Sequence, residues 1–359
     1  MRMSGVGGSE NHLRVLLPEL PACGWEPDLV IPSPQPQTVR GLAEDFSRSC
    51  RRVIVAPMRQ DISPSLSLRM LRLLRSGEYQ LVHSHLVHAD WHSALASALV
   101  PGVALVSTKH NDNPFRRTYP FRVAERAAAN RCAATITISE SLRQFTLRYT
   151  RPRTEVITVL YGLKAPAEAP KRSCESDTPT LLAVARLVRQ KGLDVLIRAM
   201  KPIGDAAPDA RLLIAGEGPE RLALERMAYD LGLEDRVSLL GHRDDVEHLM
   251  RRAWLLVHPA RWEGFGLVLL EAMRVGLPVV ATGVSAIPEI VIEGTTGRLV
   301  PPDDPVAISD AVIGALNDER FRRDAGVRGF ERLVERFSAE RMASETAAVY
   351  NRAMSLAFL

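Results

Sequence analysis

The stretch Leu181-Leu182-Ala183-Val184-Ala185-Arg186-Leu187-Val188-Arg189-Gln190-Lys191-Gly192-Leu193-Asp194-Val195-Leu196-Ile197 decides the fold class. It opens on an apolar run, 181–185, with no polar alternation, the pattern of a strand buried on both faces. A charged loop ending in Gly192 follows, and apolar residues then return at helical spacing over 193–200. The alternation continues toward the C-terminus. Short apolar runs at 212–215, 237–240, 254–257 and 278–281 are separated by amphipathic segments at 222–231, 246–252 and 267–275. A βα series of this kind builds a doubly wound parallel sheet.

Toward the N-terminus, residues 163–180 (LKAPAEAPKRSCESDTPT) hold three prolines, mixed charge and no apolar periodicity, which predicts a linker. Before it the theme repeats, with strands expected at 28–31, 52–55, 81–83, 104–108, 135–138 and 156–160. Helical pieces fall at 66–74, 89–99 and 123–129. The expected layout is an N-terminal domain over 1–163, a linker over 164–180, a second domain over 181–338, and a helix over 339–359 returning to the first domain. At 359 residues two cores are expected, since single cores stop growing at about 250–300 residues.

With 46% hydrophobic and 25% charged residues the composition is that of a folded soluble protein. No apolar run approaches the roughly 18 residues of a spanning helix and no signal-peptide core opens the chain, so a cytoplasmic location is expected. The four cysteines, Cys23, Cys50, Cys132 and Cys174, form no CxxC pair and are expected as free thiols. Charge is asymmetric: residues 1–163 hold 20 Lys+Arg against 13 Asp+Glu. A basic first half suits an anionic partner such as a membrane surface or a phosphate-bearing acceptor. Without a dense basic tract interleaved with aromatics, nucleic acid is not expected.

Two constellations carry chemistry. In Trp262-Glu263-Gly264-Phe265-Gly266-Leu267-Val268-Leu269-Leu270-Glu271-Ala272-Met273 a glycine loop runs into a helix. Its glycines let backbone N–H groups approach a ligand, and the first-turn amides favour phosphate. Glu271, one turn inside the helix, is suited to paired ribose hydroxyls, and its apolar setting requires a partner. In the 183–193 loop, Arg186 and Lys191 follow a strand's carboxyl end, where ligands of open α/β sheets sit. Together they can neutralise a pyrophosphate leaving group without a metal. His110, beside Asn111 and after a strand, is a further candidate.

These residues resemble glycosyltransferase family 4, retaining enzymes of the GT-B fold. The resemblance runs in family order through Ala185-Arg186-Leu187, Lys191-Gly192, Ala215-Gly216-Glu217-Gly218-Pro219, His258-Pro259, Glu263 with Glu271, Ser285-Ala286-Ile287-Pro288-Glu289 and Thr296-Gly297. It continues in the first half at Gly7-Gly8-Ser9-Glu10, Lys109-His110-Asn111 and Ile138-Ser139-Glu140-Ser141. It implies two Rossmann-like doubly wound domains facing across a cleft. It further implies donor diphosphate on Arg186 and Lys191, ribose on Glu271, and the transferred sugar against Glu263 and the backbone of Phe265, Gly266 and Leu267. Gly216, Gly7 and Gly8 complete the implied donor loops, and His110 faces the sugar. The family also places an apolar strand ahead of the glycine loop. Only Met1-Arg2-Met3-Ser4-Gly5-Val6 stands there, so that strand is expected to be truncated.

The expected activity is metal-independent, retaining transfer of a sugar from a nucleoside diphosphate sugar to a hydroxyl of a glycan or lipid-linked acceptor, by front-face displacement, in envelope polysaccharide or glycolipid synthesis. No cofactor is expected beyond the sugar nucleotide itself. The alternatives are an epimerase or hydrolase of the same fold, a non-catalytic sugar-binding protein, and a degenerate transferase. A metal reading of His83, His85, His88, Asp90 and His92 lacks an aspartate at Val87 and a second ligand cluster.

Overall fold

A computed structural model describes residues 8–58, 60, 63–112, 116, 118–170 and 178–357. The chain divides into two compact units, Met1–Lys164 with Ser338–Leu359, and Ala165–Phe337. Gly7, the six residues before it and Cys174 lie outside the described residues.

The first unit alternates strands β1 (Leu29–Ser33), β2 (Val53–Pro57), β3 (Leu81–His85), β4 (Ala104–Lys109), β5 (Ala134–Thr137) and β6 (Glu155–Thr158) with helices. The helices are α1 (Gly8–Glu19), α2 (Arg40–Ser47), α3 (Pro64–Arg75), α4 (Val87–Ala98), α5 (Tyr119–Ala129) and α6 (Glu140–Tyr149). Every strand pair is parallel. All six residues of β4 are buried, the apolar Ala104–Val106 and the polar Ser107–Lys109 alike. The expected strand 81–83 continues to His85, so His85 rather than His83 ends β3. The expected helix 123–129 begins earlier, at Tyr119, because Pro120 in the first turn has no N–H to lose there.

The strands form two groups, β1-β2 and β3-β4-β5-β6. Among the described residues no strand lies between β1 and β3. A cavity of roughly 650 Å³ occupies that gap, lined by Leu13, Leu29, Leu81, His83 and Tyr350. A polar clasp bridges it at one end. Asp28 accepts hydrogen bonds from Arg51 (3.0 Å), Arg52 (2.9 Å) and the Tyr79 hydroxyl (2.7 Å), and Arg52 also reaches Glu78 at 2.5 Å.

The second unit carries β7 (Thr180–Val184), β8 (Arg211–Ala215), β9 (Val237–Gly241), β10 (Leu255–His258), β11 (Val279–Thr282) and β12 (Gly297–Val300). Its helices are α7 (Leu193–Ala206), α8 (Arg221–Asp230), α9 (Val246–Arg252), α10 (Leu267–Arg274), α11 (Ile287–Ile290), α12 (Pro305–Asn317) and α13 (Glu319–Arg336). One parallel sheet runs β12-β11-β10-β7-β8-β9. Winding proceeds outward from β7 in one direction, then from β10 in the other. The strand order therefore reverses between β7 and β10, and the loops leaving these neighbours open the crevice where ligands of such sheets bind. Leu181, Leu212 and Leu255 are fully buried along this core. A last helix, α14 (Ala339–Ala357), packs on α1 and β4 of the first unit.

Candidate active site

In the second unit the two loops that flank the switch point are locked together. Gly192 closes the turn after β7 with φ +62°, and a Cβ there would stand 2.0 Å from the Pro259 carbonyl oxygen. Only glycine permits that approach. Arg261 staples the loops from the other side, donating to Asp194 (2.8 and 2.9 Å), to Asp303 (2.6 Å) and to the Arg189 carbonyl (2.8 Å). Gln190 donates to the Trp262 carbonyl at 2.9 Å, and the Arg261 N–H donates to the Gln190 carbonyl at 2.8 Å.

The closure brings Lys191 onto Glu263, 72 residues away, as a buried salt bridge. His258 Nε2 lies 3.1 Å from the same carboxylate oxygen, and the other oxygen accepts the Gly264 N–H at 3.1 Å. Burial alone would push the Glu263 carboxyl up. The Lys191 charge and the His258 contact outweigh it and hold the group at about 2. Glu263 is thus a fixed anion at neutral pH. His258, itself pushed down by burial, is neutral there.

Arg186 is exposed and its side chain makes no hydrogen bond or ion pair among the described residues, so its guanidinium is uncommitted. Gly216 has φ +144°, and a Cβ on it would lie 1.9 Å from the Ala185 carbonyl oxygen, so this glycine fits the β8 loop tightly under Arg186. Gly266, at φ +100°, precedes α10 with no side-chain cap, leaving first-turn amides such as that of Leu267 without a capping acceptor. The Phe265 side chain is buried against Phe337, so this residue presents backbone rather than ring. Glu271 lies one turn into α10. Among the described residues it makes no side-chain hydrogen bond or ion pair, and burial raises its carboxyl. A carboxylate left in that condition is suited to hydroxyl donors from a ligand.

In the first unit, His110 follows β4 and belongs to a cluster. His110 Nε2 faces His85 Nδ1 at 2.9 Å, its Nδ1 contacts the Tyr161 hydroxyl, and His12 stacks on Tyr161 with ring centroids 4.5 Å apart. Both ring nitrogens of His12 are buried without a hydrogen-bond partner. Burial pushes His12 and His83 down to about 3 and lowers His85 and His110 well below the usual imidazole range. Neither His12 nor Tyr161 stood out in the sequence. Gly8 begins α1, the helix that carries His12. The sequence cluster 83–92 divides: His83 and His85 point to this group, whereas His92 pairs with Ser67 at 2.7 Å. Asp90 accepts from Ser84 (2.6 Å), Ser107 (2.7 Å) and Lys109 (2.5 Å). Beside it Glu125 accepts from Arg116 at 2.6 Å, and Arg116 also grips the Asn111 carbonyl. These buried charges pin the Lys109–Asn111 turn on either side of His110. Among the described residues no group of three or more His, Cys, Asp or Glu is placed to hold a metal ion.

Comparison with known proteins agrees with this architecture. Residues 166–332 match the family described as glycosyl transferases group 1, and residues 6–162 match glycosyltransferase family 4. Among curated relatives, N-acetyl-alpha-D-glucosaminyl L-malate synthase of Bacillus anthracis is 39% identical over 40% of this chain and 37% of its own length. Glycogen synthase of Mycobacterium tuberculosis is 30% identical over 80% of this chain and 72% of its own length. Among solved structures, HepE of Anabaena in complex with UDP superposes with a TM-score of 0.81 at 21% identity, over 98% of both chains. The fold is GT-B, and the chain belongs to the group 1 glycosyltransferases. The first curated relatives are matched over only 37% to 50% of their own length.

Proposed function

We propose that this protein transfers a glycosyl group from a nucleoside diphosphate sugar to an acceptor hydroxyl, with retention of configuration and without a divalent metal. The observation that carries the reading is the arrangement at the β7/β10 switch point: an uncommitted Arg186, a Lys191 that fixes Glu263 as an anion, and free amides at the start of α10. In this reading Arg186, the two remaining Lys191 donors and the α10 amides receive the diphosphate as the bond from the sugar's anomeric carbon to the phosphate oxygen breaks. Charge develops on that leaving oxygen, and preorganised cations stabilise it there. Glu263 is too acidic to exchange protons near neutrality, so its part is to accept hydrogen bonds from sugar hydroxyls and orient the ring. Glu271 takes the ribose hydroxyls. His110, neutral in its cluster, is assigned a contact with the sugar, as the family resemblance implies.

A structural neighbour crystallised with UDP supports a nucleoside diphosphate as donor. The acceptor in this reading is a glycan or lipid-linked glycan of the cell envelope, presented at the cytoplasmic face of an anionic membrane. No helix among the described residues is long and apolar enough to cross a membrane, and in this reading the contact is peripheral. The test is a thermal-shift screen with UDP, GDP and ADP sugars, followed by turnover assays in excess EDTA. A cognate donor raises the melting temperature because it binds only the folded state. No shift with any donor, or turnover that stops in EDTA and returns with Mg²⁺ or Mn²⁺, would overturn the reading.

A further inference from the structure

Seven of the fifteen large apolar side chains exposed among the described residues lie on or beside three helices of the first unit. Trp91 and Leu95 of α4 and Leu99 at its C-cap are 43%, 55% and 54% exposed at a spacing that aligns them in one stripe. On the flanking helices Leu68 of α3 is 47% exposed and Tyr119 and Val123 of α5 are 76% and 51% exposed. The three helices form one layer. α4 and α5 connect successive neighbours in the parallel β3-β4-β5 run, which places both on one face of it, and α4 packs against α3 as well as α5.

The charge of this layer has one sign at its surface. Arg69, Arg72 and Arg75 of α3 and Arg126 of α5 are exposed and form no ion pair. The only acids in the three helices, Asp90 and Glu125, are 1% and 3% exposed and are consumed by Lys109 and Arg116. Burying those two carboxylates leaves the outer surface cationic as well as apolar. A second copy of the chain fits poorly on such a face, because a twofold contact would set arginines of one copy against those of the other. An anionic lipid surface fits both properties: its headgroups take the guanidinium groups and its upper acyl region takes the Trp and Leu stripe.

We infer that the α3–α4–α5 face of the first unit is the surface by which this protein docks on anionic membranes. The inference rests on the proposed reading of a membrane-presented acceptor and names the surface responsible. It is tested by pelleting the full chain with vesicles of phosphatidylglycerol mixed into phosphatidylcholine, and with phosphatidylcholine alone, at low salt. The wild type partitions onto the anionic vesicles and not onto the neutral ones. Each guanidinium near an anionic surface is worth about a five-fold change in partitioning, so Arg72→Glu with Arg75→Glu lowers it by at least about 25-fold. Trp91→Ser with Leu95→Ser lowers it by about ten-fold or more. Both variants keep the thermal shift produced by the donor nucleotide, which separates this inference from the donor-site reading: a wild type that pellets yet ignores every nucleotide sinks only the latter. The inference is overturned if the wild type fails to pellet, pellets equally with neutral vesicles, or is matched by either variant. A dimer in sedimentation that Trp91→Ser splits would equally overturn it, in favour of a second copy.

Discussion

Replacing Lys191 by methionine tests the electrostatic core of the donor site. In the folded protein Glu263 is held at about 2 against an ordinary 4.5. Its folded value is depressed, so the associated stability is complete above about pH 4.5 and is lost as the pH falls toward 2. That difference corresponds to about 3 kcal/mol at neutral pH. Both side chains are largely buried, 14% and 10% exposed, so solvent screens the pair little. Lys191→Met leaves a buried carboxylate without its cation, and the expected loss at pH 7 is about 3–5 kcal/mol. At pH 3 Glu263 takes up a proton in the variant, and the gap to wild type narrows to about 1 kcal/mol. Adding Glu263→Gln removes the stranded charge and recovers more than half of the loss. Amide exchange of β7 and β10, read at both pH values, reports the opening of this unit independently of the other. A gap that is absent at pH 7, or identical at pH 3, would refute the reasoning.

Arg186→Ala should weaken UDP-sugar binding by about 1.5–3 kcal/mol in calorimetry, the scale of a charge-assisted hydrogen bond, while leaving the melting temperature of the unliganded protein unchanged. Equal affinity in the variant would remove Arg186 from the donor site. The buried, neutral histidines His12, His83, His85 and His110 make the first unit acid-labile. Their folded values are depressed, so stability falls as the pH drops below about 6.5, by roughly 1 kcal/mol per ring at pH 5.5. Amide exchange should therefore accelerate in β4 and β5 before β7 and β8, and simultaneous acceleration would count against it. Asp90→Asn strands Lys109 and should destabilise the first unit by about 3–5 kcal/mol. A thermal melt indistinguishable from wild type would show that Asp90 does not hold the charge.

The second unit was readable because its strands are buried on both faces, and a run such as Leu181–Ala183 admits no other placement once helical segments separate its repeats. The switch point follows from strand order, and with it the neighbourhood of Arg186, Lys191, Glu263 and Glu271. Pairing was less accessible. Lys191 and Glu263 are 72 residues apart in sequence, and nothing in their local patterns distinguishes an ion pair from two separate ligands. Arg261 resembles any loop arginine until its three acceptors are seen together. His12 sits on α1 with ordinary helical spacing, and its burial depends on Tyr161, contributed from beyond β6. The apolar context of Glu271 likewise indicates burial but not what lies opposite it.

Among the described residues the strands of the first unit fall into two ladders. Hydrogen-bond ladders propagate through β3-β4-β5-β6 and separately through β1-β2. The clasp of Asp28, Glu78, Tyr79, Arg51 and Arg52 links them, and in it both arginines are over two-fifths exposed. Exposed ions are screened by salt, whereas a backbone ladder is not. The clasp is therefore the salt-sensitive fastening of the first unit: raising the ionic strength weakens it and leaves the backbone ladders of both units unaffected.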